Sequence, residues 1–199
     1  VVVLKNIDVY GFYGRYKNVR DAAWQTLVDF NVNSLPISLL SICTKIGISI
    51  IENKNVHELR QGESGVSVKQ GDKWYIIVED TEMLQRQRFT TAHELAHILL
   101  GHEMRNGYYT RRENIVKSAD ETEADMFAAR LLAPACVLWG INAQTAEQIA
   151  AVCNISREAA KIRAERMEVL RKRGKFLTSP LERQVYQQFE SYIQNNRLN

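Results

Sequence analysis

The sequence predicts an α+β fold: a small antiparallel sheet leading into motif-bearing helices, then a helical, helix-turn-helix-like C-terminal region. Three observations predict it. Short β-rich runs separated by turn residues lie between Ile48 and Val78. Helical spacing takes over near Met83 and carries His93-Glu-Leu-Ala-His97. Past Pro134, two short helical patterns meet at Cys153-Asn-Ile-Ser156.

Taken in order, residues 1–17 read as an irregular N-terminal arm rich in aromatics and glycine (Tyr10, Gly11, Phe12, Tyr13, Gly14). From Asn18, Val19, Ala22, Ala23, Leu27 and Phe30 share one helical face. A second helix is expected from Ile37 to Lys45, stopped by Gly47. Ile48–Ile51, Gly65–Val68 and Trp74–Val78 are the strands, with Gln70-Gly-Asp72 turning between the last two. Gly65–Lys69 is the candidate edge strand, able to hold an extended substrate by β-addition. The next helix is expected to start at Asp80 or Thr81 as N-cap, with Glu82 in its first turn. A polar loop from His102 to Lys117 leads to a helix capped near Ser118 or Asp120, whose apolar face is Ala124, Phe127, Ala128, Leu131 and Leu132. Helices then follow over 145–152 and 157–170, and Leu181, Val185, Phe189 and Ile193 mark a final amphipathic helix. The segments are therefore 1–17, a core over 18–134, a helix-turn-helix-like part over 135–175, and a C-terminal helix over 176–199.

The 199 residues allow one sizeable domain with an appendage. A net charge of +3 is too small to argue for nucleic acid. The basic residues between Arg157 and Lys175 leave direct DNA binding through 144–175 as a minor reading, a solvated helix face being the commoner meaning of such a run. Cys43, Cys136 and Cys153 are odd in number and form no C-x-x-C pair, so they read as buried apolar side chains in a reducing compartment. Val1–Leu4 lacks the pattern of a signal peptide, and Leu39–Ile51 is interrupted by Lys45 and too short to span a bilayer. A cytoplasmic location and an intracellular substrate are the expectation.

The chemistry is carried by H-E-x-x-H. At about 100° per residue, His93 and His97 sit one turn apart and offset by only about 40°, so both imidazoles address one point. Such a pair binds a catalytic zinc, and Glu94 stands about 100° round from His93, placed to serve a water at the metal as general base. The rival meaning of Thr91-Ala-His-Glu94 is a capping box. A helix that starts near residue 80 makes Thr91 a mid-helix residue with no N–H to cap.

A catalytic zinc takes three protein ligands. The candidates for the third are His102, Glu121 and Glu123. If the helix continues, His102 lies about 180° round from His93 and faces away, so it reads instead as a helix-end residue, favourable near a C-terminus. Glu121 and Asp125 share one face of the later helix, so Glu121 can bind the metal while Asp125 accepts the free N–H of a ligating histidine. Glu123 points about 160° away from both and reads as a surface charge. A His-His-Glu set also accepts Mn2+ and other divalent ions.

The stretches Arg86-Gln-Arg-Phe-Thr-Thr-Ala-His-Glu-Leu-Ala-His97 and Glu121-Thr-Glu-Ala-Asp-Met-Phe-Ala-Ala-Arg-Leu-Leu-Ala-Pro134 resemble the paired signatures of the ImmA/IrrE metallopeptidases. The likeness extends over about residues 20–170. It implies a zincin-like minimal metallopeptidase core, with His93, His97 and Glu121 on zinc, Glu94 as general base and Asp125 at a position the family fills with Asp or Asn. It also implies a zinc endopeptidase that cleaves, or otherwise relieves, a helix-turn-helix repressor of the phage or mobile-element type encoded nearby. The alternative within this resemblance is a metal-binding anti-repressor or toxin–antitoxin component that works by protein binding. Tyr108, Tyr109 and Arg112 are the loop candidates for stabilising the transition state. The basic tail and the aromatic arm match no signature of the family.

Overall fold

Helix-forming and strand-forming runs alternate along the chain as α1 (Val19–Asp29), α2 (Leu39–Lys45), β1 (Ile48–Glu52), β2 (Gly65–Gln70), β3 (Lys73–Val78), α3 (Leu84–Leu100), β4 (Met104–Arg105), β5 (Tyr108–Tyr109), α4 (Ala119–Leu132), α5 (Ala135–Gly140), α6 (Ala146–Cys153), α7 (Arg157–Lys172), α8 (Pro180–Gln188) and α9 (Glu190–Asn195). These elements come from a computed structural model, which describes residues 19–102, 104–105, 108–109 and 118–198. The N-terminal arm, Arg111 and Arg112, and the side chains of Tyr108 and Tyr109 lie outside the described residues. The chain forms two compact units, one holding residues up to Ala22 with Leu39–Ala128, the other Ala23–Ser38 with Ala129–Asn199.

The first unit is α+β, built on a sheet ordered β1-β3-β2-β5-β4. The sheet is mixed, not antiparallel as expected: β1 runs parallel to β3, Ile48 opposite Trp74 through Glu52 opposite Val78. β2 and β3 form the anticipated hairpin, Gln70 opposite Lys73. The reason is the length of the connection over 53–64. It carries the chain from the end of β1 past the end of β3 to the start of β2, so the hairpin can bring β3, rather than β2, alongside β1. Nor is Gly65–Lys69 a free edge, because β5 pairs with β2 at Val68 opposite Tyr108. Among the described residues, Val68 is the one β2 residue paired on the side away from β3, so Gly65–Ser67 have no strand partner there.

α3 lies against this sheet and is buried all round from Thr90 to Leu100. Leu95, Ala96, Ile98 and Leu99 are wholly buried with Ile76 of β3 and Ile42 of α2, the pattern of a helix enclosed by its own domain. It starts later than Asp80 or Thr81, with Met83 at the cap position and no capping side chain. The polar groups just upstream are used elsewhere. Glu79 accepts bonds from the Thr81 N–H and hydroxyl, and Asp80 accepts from the Lys54 N–H. Gln87 then reaches back to the Glu82 and Asp80 carbonyls.

The second unit is all helical. Gln188 donates to the carbonyls of Leu27 and Val32, which ties Ala23–Ser38 to the C-terminal helices. Thr145 opens α6 with a capping box, and Ser156 caps α7. The single amphipathic helix expected at the C-terminus is two, α8 and α9, broken at Phe189 (φ −93°, ψ 5°). Val185, Phe189 and Ile193 are all buried, and Gly140 lets Ile193 and Tyr186 approach; a Cβ there would meet Tyr186 at 2.8 Å and Ile193 at 2.9 Å.

Basic residues over 157–175 are partly spent on this unit. Arg163 turns inward to the Ala133 carbonyl, and burial draws its guanidinium down to about 10. Arg171 bonds the Ala143 carbonyl and Lys172 pairs with Glu168 at 2.6 Å. Cys43, Cys136 and Cys153 are buried and form no disulfide, and burial pushes the Cys43 and Cys136 thiols up to about 12, which keeps them protonated and poor as metal ligands. Among the described residues, no helix is long and apolar enough to cross a membrane.

Candidate metal centre

α3 brings two imidazoles to one point. His93 Nε2 and His97 Nε2 stand 3.1 Å apart, and both side chains are nearly inaccessible. α4 supplies the third group from its first turn: Glu121 Oε2 lies 3.5 Å from His93 Nε2, and Oε1 lies 3.4 Å from His97 Nε2. Ser118 caps α4, its hydroxyl accepting the Glu121 N–H, which fixes where on the helix Glu121 falls. Among the described residues, His93, His97 and Glu121 form the one group able to share a metal ion, their donor atoms lying within 4.8 Å of one another. Tetrahedral zinc, with bonds of about 2.0–2.2 Å to N and O, sets neighbouring donors about 3.3 Å apart, close to these separations.

The electrostatics favour a cation. Burial opposes charge on His93, but Asp125 and Glu121, bonded to its two nitrogens, outweigh it and push the imidazolium up to about 9. Asp125 Oδ1 is 2.7 Å from His93 Nδ1, so the ring has its Nδ1 proton held and its Nε2 turned to Glu121. Glu121 and Asp125 thus both reach His93 from one face of α4. Thr91 lies inside α3 and donates to the Gln87 carbonyl, so it does not cap a helix with Glu94.

Glu94 lies in the same open cleft of about 440 Å³ as His93, His97 and Glu121. Its carboxylate accepts a 2.7 Å bond from Ser67, a fully buried hydroxyl on β2. The strand comes this close because residue 65 has no side chain: a Cβ on Gly65 would collide with Thr90 of α3 and stand 2.9 Å from the Ile77 carbonyl. Gly65→Ala is therefore expected to destabilise the protein by about 1–3 kcal/mol, read as a lower denaturation midpoint, because β2 must move away from α3.

Arg60, Glu63, Ser64, Arg86 and Phe89 complete the cleft. Arg86 donates to Ser64, which itself donates to Glu82, and this clasp holds the connection over 53–64 to the start of α3.

The model of the family described as Peptidase_M78, IrrE N-terminal-like domain, matches residues 43–165, more than half of the chain. The chain belongs to this family. The Peptidase_M78 match spans both motif-bearing helices, α3 and α4, and the whole sheet between α2 and β5. None of the curated proteins matches the chain significantly.

Three residues around this candidate site were placed elsewhere, or not singled out, by the sequence reading. His102 does not face away. Gly101 adopts a left-handed conformation (φ 73°, ψ 35°), the helix ends, and His102 folds back with Nδ1 2.9 Å from His97 Nδ1. A glycine next to the last apolar turn was the available signal that helical angles no longer apply. Glu123, read as a surface charge, is half-exposed yet lies 3.5 Å from His102 Nε2. Ser67 was legible only as a polar residue on an alternating strand; its partner depends on how β2 meets α3.

Proposed function

We propose that this chain is a zinc-dependent endopeptidase that cleaves a helix-turn-helix transcriptional repressor of the phage or mobile-element type and so relieves repression. The observation that carries the reading is the convergence of His93, His97 and Glu121 in the cleft that also holds Glu94, inside a Peptidase_M78 domain. His93, His97 and Glu121 would hold the ion, with zinc favoured by the two imidazoles and Mn2+ as the other divalent candidate. When bound, the metal supplies a Lewis acid that acidifies water and polarises a peptide carbonyl.

This chain's own residues do the rest. Glu94 accepts the proton of the attacking water and returns it to the leaving amine. Ser67 holds one carboxylate oxygen of Glu94, leaving the other to face the cleft as the base. An extended segment of the substrate would lie along Gly65–Ser67, where backbone groups on one side of β2 have no strand partner among the described residues. The substrate class comes from the family resemblance, and a cytoplasmic site of action goes with it. Specificity would then rest on docking a folded protein, so activity on generic peptides is expected to be weak.

The test is to mix the zinc-loaded protein with the repressor encoded beside it and look for one discrete cut by mass spectrometry. Cleavage should stop with a chelator and return with added zinc. Derepression without a cut, in the same mixture, would replace this reading with that of a binding anti-repressor.

A further inference from the structure

His93 and His97 are supported differently on the sides away from Glu121. His93 Nδ1 meets a carboxylate, Asp125. His97 Nδ1 meets a second imidazole, that of His102, which is itself buried and stands edge-on to His97 with the ring planes 75° apart. The backbone fixes this placement as well as the ring does. The N–H groups of Gly101 and His102 both point to the His97 carbonyl, so the end of α3 wraps around the residue it supports.

Two ring nitrogens 2.9 Å apart share a single proton. If His97 offers its Nε2 lone pair to a metal, its own proton must be on Nδ1, and His102 Nδ1 must accept it. His102 then carries its proton on Nε2, a buried atom that, among the described residues, has no hydrogen-bond partner closer than Glu123 Oε2 at 3.5 Å.

We propose that His102 is a positioning residue of the metal centre, accepting the Nδ1 proton of His97 and so fixing the tautomer and ring angle with which His97 binds the ion, with Glu123 steadying His102 from behind. The inference rests on the metal-centre reading above. It makes the two imidazoles equivalent in outcome though not in means: one is oriented by a carboxylate directly, the other through an intervening ring.

The test uses the full chain and metal alone. Zinc affinity is measured by competition with a chromophoric chelator, and Co2+ is substituted to record its visible ligand-field spectrum. His102→Leu removes the acceptor while keeping bulk, and is expected to weaken zinc binding by about 10–100-fold and to alter the Co2+ spectrum. His102→Asn puts an amide oxygen near the place of Nδ1 and should recover most of the affinity and the wild-type spectrum. Glu123→Ala, at a half-exposed position that the fold tolerates, should weaken binding in the same direction by less.

Wild-type affinity and spectrum in His102→Leu would overturn the proposal, as would an Asn variant no better than the Leu variant. Should His102→Leu not fold, Glu123→Ala decides, and unchanged affinity there counts against it. Failure of the wild-type protein to bind zinc would instead remove the metal-centre reading itself.

Discussion

Glu94→Gln is expected to leave the protein folded and able to bind zinc, and to lower the rate of peptide-bond cleavage by about 10²–10⁴-fold. The substitution replaces one carboxylate oxygen by an amide nitrogen and changes no volume. Ser67 can still donate to the remaining oxygen, so the side chain keeps its anchor on β2. What is lost is the capacity to take a proton. His93, His97 and Glu121 are untouched, so zinc content should match the wild type. The measurement is single-turnover cleavage of the repressor beside metal analysis of the same sample. A variant that cuts at the wild-type rate would show that the base lies elsewhere.

Glu121→Ala is expected to abolish stoichiometric zinc at affinities where the wild type is saturated, with a loss exceeding the about 10–100-fold that a supporting residue costs. The carboxylate lies within 3.5 Å of both ring nitrogens, and no other described acidic side chain joins that group. Removing it also leaves only the two imidazoles of that group to hold an ion. Glu123→Ala is the control on the same helix. It faces His102, not the pair of Nε2 atoms, so the protein should still take up one equivalent of zinc. Equilibrium dialysis followed by elemental analysis separates the two variants. Loss of zinc in Glu123→Ala but not in Glu121→Ala would reassign the third ligand.

Features that depend on local periodicity were legible. The rows of apolar residues on α4, the hairpin of β2 and β3, and the caps Ser118 and Ser156 follow from side-chain chemistry within a few residues. The convergence of His93 and His97 is of the same kind, since it needs only that the helix be regular. Two failures came from extending regularity past its physical limit. The helix was carried back to Asp80, although the side chains there bond to the preceding loop, and a helical angle was applied to His102, although Gly101 reverses the chain there. The parallel pairing of β1 with β3 was illegible for another reason. A strand's alternation says which face is buried but not which neighbour it meets, and that choice is made by the path of the connection over 53–64.

The candidate ligands come from two separate helices, α3 and α4, joined by no other donor set among the described residues. An ion held there is a removable cross-link, so mass action ties the folded population to the free metal supply. Free zinc at a hundred times the dissociation constant adds about 2.7 kcal/mol, a large share of the margin by which most domains stay folded. Scarcity of the metal would therefore shorten the life of the protein as well as silence it. A cell could retire the enzyme without any dedicated inhibitor.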